Sequence, residues 1–134
     1  MKKQVEDWIL LADQDLCATQ LLLKEDQPLT NIIAFHCHQT IEKFLKAFLI
    51  EKNISPIKTH DLIKLNAMIK EVCDLGIDER KLMIINEVYI SARYPCDLGL
   101  LPNGTPSCVQ VKEFVEYSKE IKMLILGNIN KNTF

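Results

Sequence analysis

The sequence predicts an all-α fold: an up-and-down antiparallel bundle of four main helices plus a short additional helix. Three observations predict it. Apolar residues recur at steps of three and four through most of the chain. No segment alternates apolar and polar residues over the length of a strand. Prolines, glycines and capping residues fall between the periodic stretches, at intervals that suit helices. At 134 residues the chain reads as a single domain over 1–134, long enough to bury a core without metal or disulfide support.

The first helix is expected from about Lys3 to Lys24. Val5, Trp8, Ile9, Ala12, Leu16, Thr19 and Leu23 keep the period, and Glu6, Asp7, Asp13 and Gln20 take the other sides. Pro28 ends that stretch. A second helix runs to about Lys52, with Thr30 or Asn31 as its cap. A third starts near Thr59, the expected N-cap, with Asp61 in its first turn and Leu62, Leu65, Ile69 and Val72 buried. Gly76 suits its exit. Asp78 caps a fourth helix through Leu82, Ile85, Val88, Tyr89 and Ala92, stopped by Pro95. The stretch from Cys96 to Pro106 holds two of the four glycines and two of the five prolines and reads as the one longer loop. Ser107 and Gln110 form a capping box for the last helix, from about Cys108 to Asn128; Thr105 with Pro106 is a competing start. Val111, Phe114, Val115, Ile121, Leu124 and Ile125 give that helix its apolar side.

The second helix carries the most pattern. Ala34, Ile41, Leu45 and Phe48 fall on one side, with Leu49 beside them. His36, Gln39, Lys43 and Lys46 fall on another, at steps of three and four. Glu42 borders this polar strip and stands four residues before Lys46, the favourable order for an acid–base pair on a helix. Periodicity alone makes the strip the wet side of an amphipathic helix.

The formal charge is -2 and charged residues are 25% of the chain, so no global field draws the protein to nucleic acid or membrane. Any nucleic-acid contact must come from a local patch. No apolar run is long enough to span a bilayer, and the N-terminus lacks a signal-peptide core, so a cytoplasmic location is expected. The five cysteines lack C-x-x-C spacing and read as free thiols. His36, Cys37 and His38 do not make a metal site, because helical residues two apart point to different sides. There is no glycine-rich phosphate loop and no base beside Cys96 or Cys108, so no cofactor, metal or cysteine nucleophile is expected.

Besides the strip, two polar spots stand out. One is His60 at the start of the third helix. The other is Arg93 and Tyr94 where the fourth helix runs out, Arg93 and Arg80 being the only arginines. Each has an ordinary structural explanation when taken alone: a helix-start residue, a cation at a helix C-terminus, a core ring with a wet tip.

Together and in order they resemble the HEPN domain family. The first helix carries a similar pattern in Trp8, Ala12, Asp15, Leu16, Ala18, Leu21 and Leu22. Gln39, Glu42, Lys43, Lys46 and Ala47 look like the family's Gln-x-x-Glu-Lys-x-x-Lys-Ala core. Thr59 to Leu62 is similar to its Thr-His-Asp-Leu, and Ala92 to Pro95 to its Ala-Arg-Tyr-Pro. The resemblance covers nearly the whole chain. It implies a four-helix-type bundle, often a homodimer, frequently encoded beside a minimal nucleotidyltransferase in toxin–antitoxin-like pairs. It implies either nucleotide or nucleic-acid binding, or metal-independent RNA cleavage by an arginine with a histidine four to six residues after it. This chain departs from the second pattern, because no histidine follows His60.

Three readings follow. In the first, the chain is a binding module. Arg93, Tyr94, His60, His36, Gln39, Glu42, Lys43 and Lys46 then line a polar groove for a nucleotide or RNA ligand or an acidic partner surface. In the second, it is a metal-independent RNase in which Arg93 works with His60 or His36. In the third, the polar residues only tie a dimerising bundle together. The absent histidine weighs against catalysis. The strip is expected to face Arg93 and Tyr94.

Overall fold

In a computed structural model, the backbone is described for residues 1–93 and 105–130, and the side chains for 1–90 and 105–129. Five helices and no strand occur among them: α1 (Lys3–Leu23), α2 (Thr30–Glu51), α3 (Leu62–Lys70), α4 (Glu79–Arg93) and α5 (Cys108–Asn130). The all-helical bundle matches the predicted class, and α3 is the short additional helix.

Local chemistry explains most boundaries. Asp61 caps α3, its Oδ1 accepting from the backbone N–H of Ile63 at 2.9 Å and of Lys64 at 3.4 Å. The expected cap, Thr59, instead accepts the N–H of Asp61 at 3.0 Å and so shapes the turn before the helix. Asp78 accepts from Arg80 and Lys81 as predicted. Ser107 accepts the Gln110 N–H at 3.0 Å, so the capping serine prevails over the Thr105 start. Neither Thr30 nor Asn31 caps α2: the N-cap position is Leu29, with no side-chain bond.

The end of α2 is a Schellman turn. The Ile54 N–H reaches Leu49 O at 2.8 Å and the Asn53 N–H reaches Ile50 O at 2.9 Å. Asn53 takes φ 63°, the left-handed conformation that asparagine tolerates better than most residues. Lys2 Nζ then bonds Ile50 O at 3.1 Å, pinning the start of α1 to the end of α2.

Helix α2 is the hub. All four other helices pack against it, and more than half of its 22 residues are buried. Phe44, Phe48, Ile41, Leu45 and Leu49 are fully enclosed there. α1 runs antiparallel to it, since Trp8 meets Lys46 while Asp15 meets His36 and Lys43. α4 also runs antiparallel to it, with Asn86 against His38 and Tyr89 against Phe35. α5 closes the core through Ile121 and Ile125 and pairs Lys122 with Asp13 of α1 at 2.7 Å. The predicted burial of Val72 fails: it is 56% exposed, because α3 ends at Lys70 before the stripe reaches it.

α1 and α4 share no packed interface among the described residues. Both lean on α2, one on each side, and the polar strip lies between them.

Candidate functional site

At 100° per residue, α2 presents its polar strip in three lines. Phe35, Gln39 and Lys46 run along the middle. His36 and Lys43 lie toward α1, and His38 and Glu42 lie toward α3 and α4. The structure gives each side line its own carboxylate.

On the α1 side the carboxylate is Asp15. Its Oδ1 is 2.9 Å from His36 Nδ1, and its Oδ2 is 2.5 Å from Lys43 Nζ. On the other side it is Glu42, almost wholly buried. Its Oε1 is 2.8 Å from His60 Nδ1, and its Oε2 accepts from Lys46 Nζ at 3.1 Å. The Lys46 ammonium also lies 5.6 Å from the centre of the Trp8 ring, a cation–π distance. A buried carboxylate without partners is strongly disfavoured. Glu42 avoids that penalty through Lys46 and His60.

His38 lies behind this cluster with no solvent exposure. Its ring stacks on Tyr89 with centroids 3.7 Å apart and planes 13° apart. Nε2 is 3.4 Å from Asn86 Oδ1, and Nδ1 stands 3.9 Å from Glu42 Oε1. Burial pushes the His38 imidazolium down to about 4, and the nearby Glu42 carboxylate only partly opposes that shift. The two histidines of the His36–Cys37–His38 run therefore diverge, one to α1 and one to α4.

Asn86 joins three elements. Its Oδ1 accepts the Leu62 backbone N–H at 3.0 Å, and its Nδ2 donates to the capping Asp61 Oδ1 at 3.2 Å. This fixes the start of α3 on α4, and with it His60, the residue before Asp61. The His60 side chain is 57% exposed, although Nδ1 is held on buried Glu42. The carboxylate orients the ring through Nδ1 while more than half of the side chain stands in solvent.

The structure thus brings His60, Glu42 and Lys46 together. It places Lys43 and His36 in a separate cluster with Asp15, one helix side away. Gln39 is half-buried between the two. The strip faces α1 on one flank and Tyr89 and Asn86 of α4 on the other. Arg93 is the last residue of α4, one turn beyond Tyr89; its side chain and all of Tyr94 lie outside the described residues. The two lysines are not free cations, since each already faces an acid.

Sequence reasoning missed Asn86, His38 and Tyr89 as organising residues, and it gave Asp15 no role in a site. Asn86 lay on the inner side of a periodic helix among apolar residues, and that position was the available signal.

A profile of the HEPN domain matches residues 5–128. No curated protein and no solved structure matches the chain at a significant level. The match runs from the start of α1 nearly to the end of α5, and so includes every residue of both carboxylate clusters. The chain belongs to the HEPN domain family.

Proposed function

We propose that this HEPN domain is a nucleotide- or RNA-binding module that receives its ligand in the groove between α1 and α4. One observation carries the reading. His60 is fixed by a 2.8 Å bond to a buried carboxylate while more than half of its side chain stands in solvent. A ring oriented in this way through Nδ1 is preorganised, in its doubly protonated form, to donate Nε2–H to a phosphate oxygen. Arg93 ends the helix that flanks the strip, and an arginine is suited to bidentate contact with a phosphate. Lys43 and Lys46 shape the groove rather than hold the phosphate, because their charge is already matched. The setting we infer is a homodimer working beside a minimal nucleotidyltransferase in a toxin–antitoxin-like pair.

Titration of labelled RNA oligonucleotides and of free nucleotides tests this reading. Wild-type protein should bind, more weakly as salt rises. His60→Ala and Arg93→Ala should each weaken binding by roughly tenfold or more, the worth of a charge-assisted hydrogen bond, with helicity unchanged. Absence of binding by the wild type, or unchanged binding by both variants, rejects it.

The Glu42–His60 bond also favours a second reading, metal-independent RNA cleavage. A carboxylate on Nδ1 fixes the tautomer in which Nε2 accepts a proton, here that of a ribose 2′-OH, while Arg93 steadies charge on the phosphorane. This predicts cleavage in EDTA that His60→Ala abolishes. Intact RNA after prolonged incubation with clean protein disposes of it.

A further inference from the structure

Among the described residues, Phe35 is the large aromatic ring the fold leaves at the surface beside the candidate site. It is 37% exposed, although it sits one turn from residues of α2 that are fully enclosed. Two aromatic neighbours fix it. His36 meets it edge-on, with centroids 5.3 Å apart and planes 82° apart. Tyr89 lies 5.8 Å away, tilted by 32°. Tyr89 in turn stands 6.3 Å from His60. Phe35 and His60 therefore flank one ring, the first at the apolar end of the strip and the second at the polar end.

Resting on the reading of the groove as a nucleotide or RNA site, we propose that Phe35 is the stacking platform for an unpaired base, and that the ligand is single-stranded RNA. An exposed ring held by two others loses little freedom when a base stacks on it. Unpaired bases are recognised mainly by such stacking, whereas a duplex hides its base faces. The polarity of the strip matches that of a nucleotide. The base meets Phe35 and the phosphate meets His60; Ile32, one helical turn before Phe35, is exposed too.

The experiment measures fluorescence anisotropy of labelled oligoadenylate and oligouridylate in EDTA, with wild type, Phe35→Ala, Phe35→Leu and Phe35→Trp. Alanine and leucine should each weaken binding, by about five- to 150-fold as loss of one base–aromatic stack does. Tryptophan should retain it, and its emission should be quenched on RNA addition. Single strands should bind more tightly than a duplex of the same sequence. Binding by Phe35→Leu equal to wild type reduces Phe35 to an apolar contact and overturns the proposal, as does preference for duplex. Conversion of a wild-type dimer to monomer by Phe35→Ala assigns the ring to a subunit interface and also overturns it. A wild type that binds neither RNA nor nucleotides rejects the underlying functional reading as well, so the two failures are distinguishable.

Discussion

His60 Nδ1 lies 2.8 Å from Glu42 Oε1, joining a ring that faces solvent to a carboxylate that is almost fully enclosed. The bond crosses from α2 to the turn before α3, so it connects the core of the bundle to its surface. Glu42 also holds Lys46, and neither partner alone satisfies both of its oxygens.

Removing the acid should therefore be costly. Glu42→Ala leaves Lys46, whose side chain is only 11% exposed, over Trp8 without a counter-charge. A loss of about 3–5 kcal/mol is expected, as when one member of a buried pair is deleted. Lys46→Met in the same chain should restore part of it. Urea denaturation of the single and double variants measures both effects; a loss below about 1 kcal/mol in Glu42→Ala contradicts the buried pair.

Acid should weaken the fold through His38. Its folded-state value is lowered to about 4, below that of an unfolded histidine near 6.5, chiefly by burial. Between those values the unfolded chain binds the extra proton, so stability rises with pH. The contribution is complete above about pH 6.5 and is lost as pH falls toward 4, to the extent of about 3 kcal/mol. His38→Phe keeps a ring against Tyr89 but cannot titrate. Denaturation midpoints at pH 7.5 and 5 should fall less in that variant than in the wild type. Equal falls would place the acid sensitivity elsewhere.

Asn86 should matter more than its size implies. Asn86→Ala leaves the buried Leu62 N–H without its acceptor and removes one of the donors to Asp61 Oδ1, whose bonds from the Ile63 and Lys64 N–H groups remain. A cost of about 1–3 kcal/mol is expected for the orphaned group. The His60 imidazole resonances should shift in NMR spectra although the ring does not touch residue 86. A stability loss with His60 unmoved would show that Asn86 supports only α3.

Two of the α1 acids that pair with lysine, Asp7 and Asp15, should behave differently. Asp7 meets Lys3 on the surface, where both side chains are more than half exposed, and Asp7→Ala should change stability by at most about 0.5 kcal/mol. Asp15 is 13% exposed and holds both Lys43 and His36, so Asp15→Ala should cost clearly more. Thermal unfolding of the two variants side by side gives the comparison, and equal losses would show the Asp15 cluster to be as solvated as the Asp7 pair.

Much of the fold was legible because helices announce themselves locally. The α1 and α5 stripes, the Asp78 cap and the Ser107–Gln110 box are all written within a few residues of one another. The Thr59 prediction failed for the same reason. Two acceptors lay two residues apart, and only the fixing of Asp61 by Asn86, 25 positions away, decides between them. The candidate site was half legible. Periodicity placed His36, Gln39, Lys43 and Lys46 on one strip, and the Glu42–Lys46 pair is local. Which acid each lysine and histidine meets depends on α1 and on the turn before α3, and helical spacing within α2 carries no information about either. His38 was hidden by its own neighbours, since a histidine two positions from another reads first as a metal question and only in three dimensions as a core ring.

Because every other helix rests on α2, that segment has no idle side on which change can accumulate. One flank fits α1, another fits α3 and α4, and α5 takes most of what remains. Novelty in such an architecture has to enter from the periphery, through the facing surfaces of α1 and α4, which share no packed interface among the described residues. A saturation library should show this as a gradient of tolerance, lowest along α2 and highest on the outer sides of its neighbours. Two descendants of this chain could then diverge in ligand while keeping the same central helix.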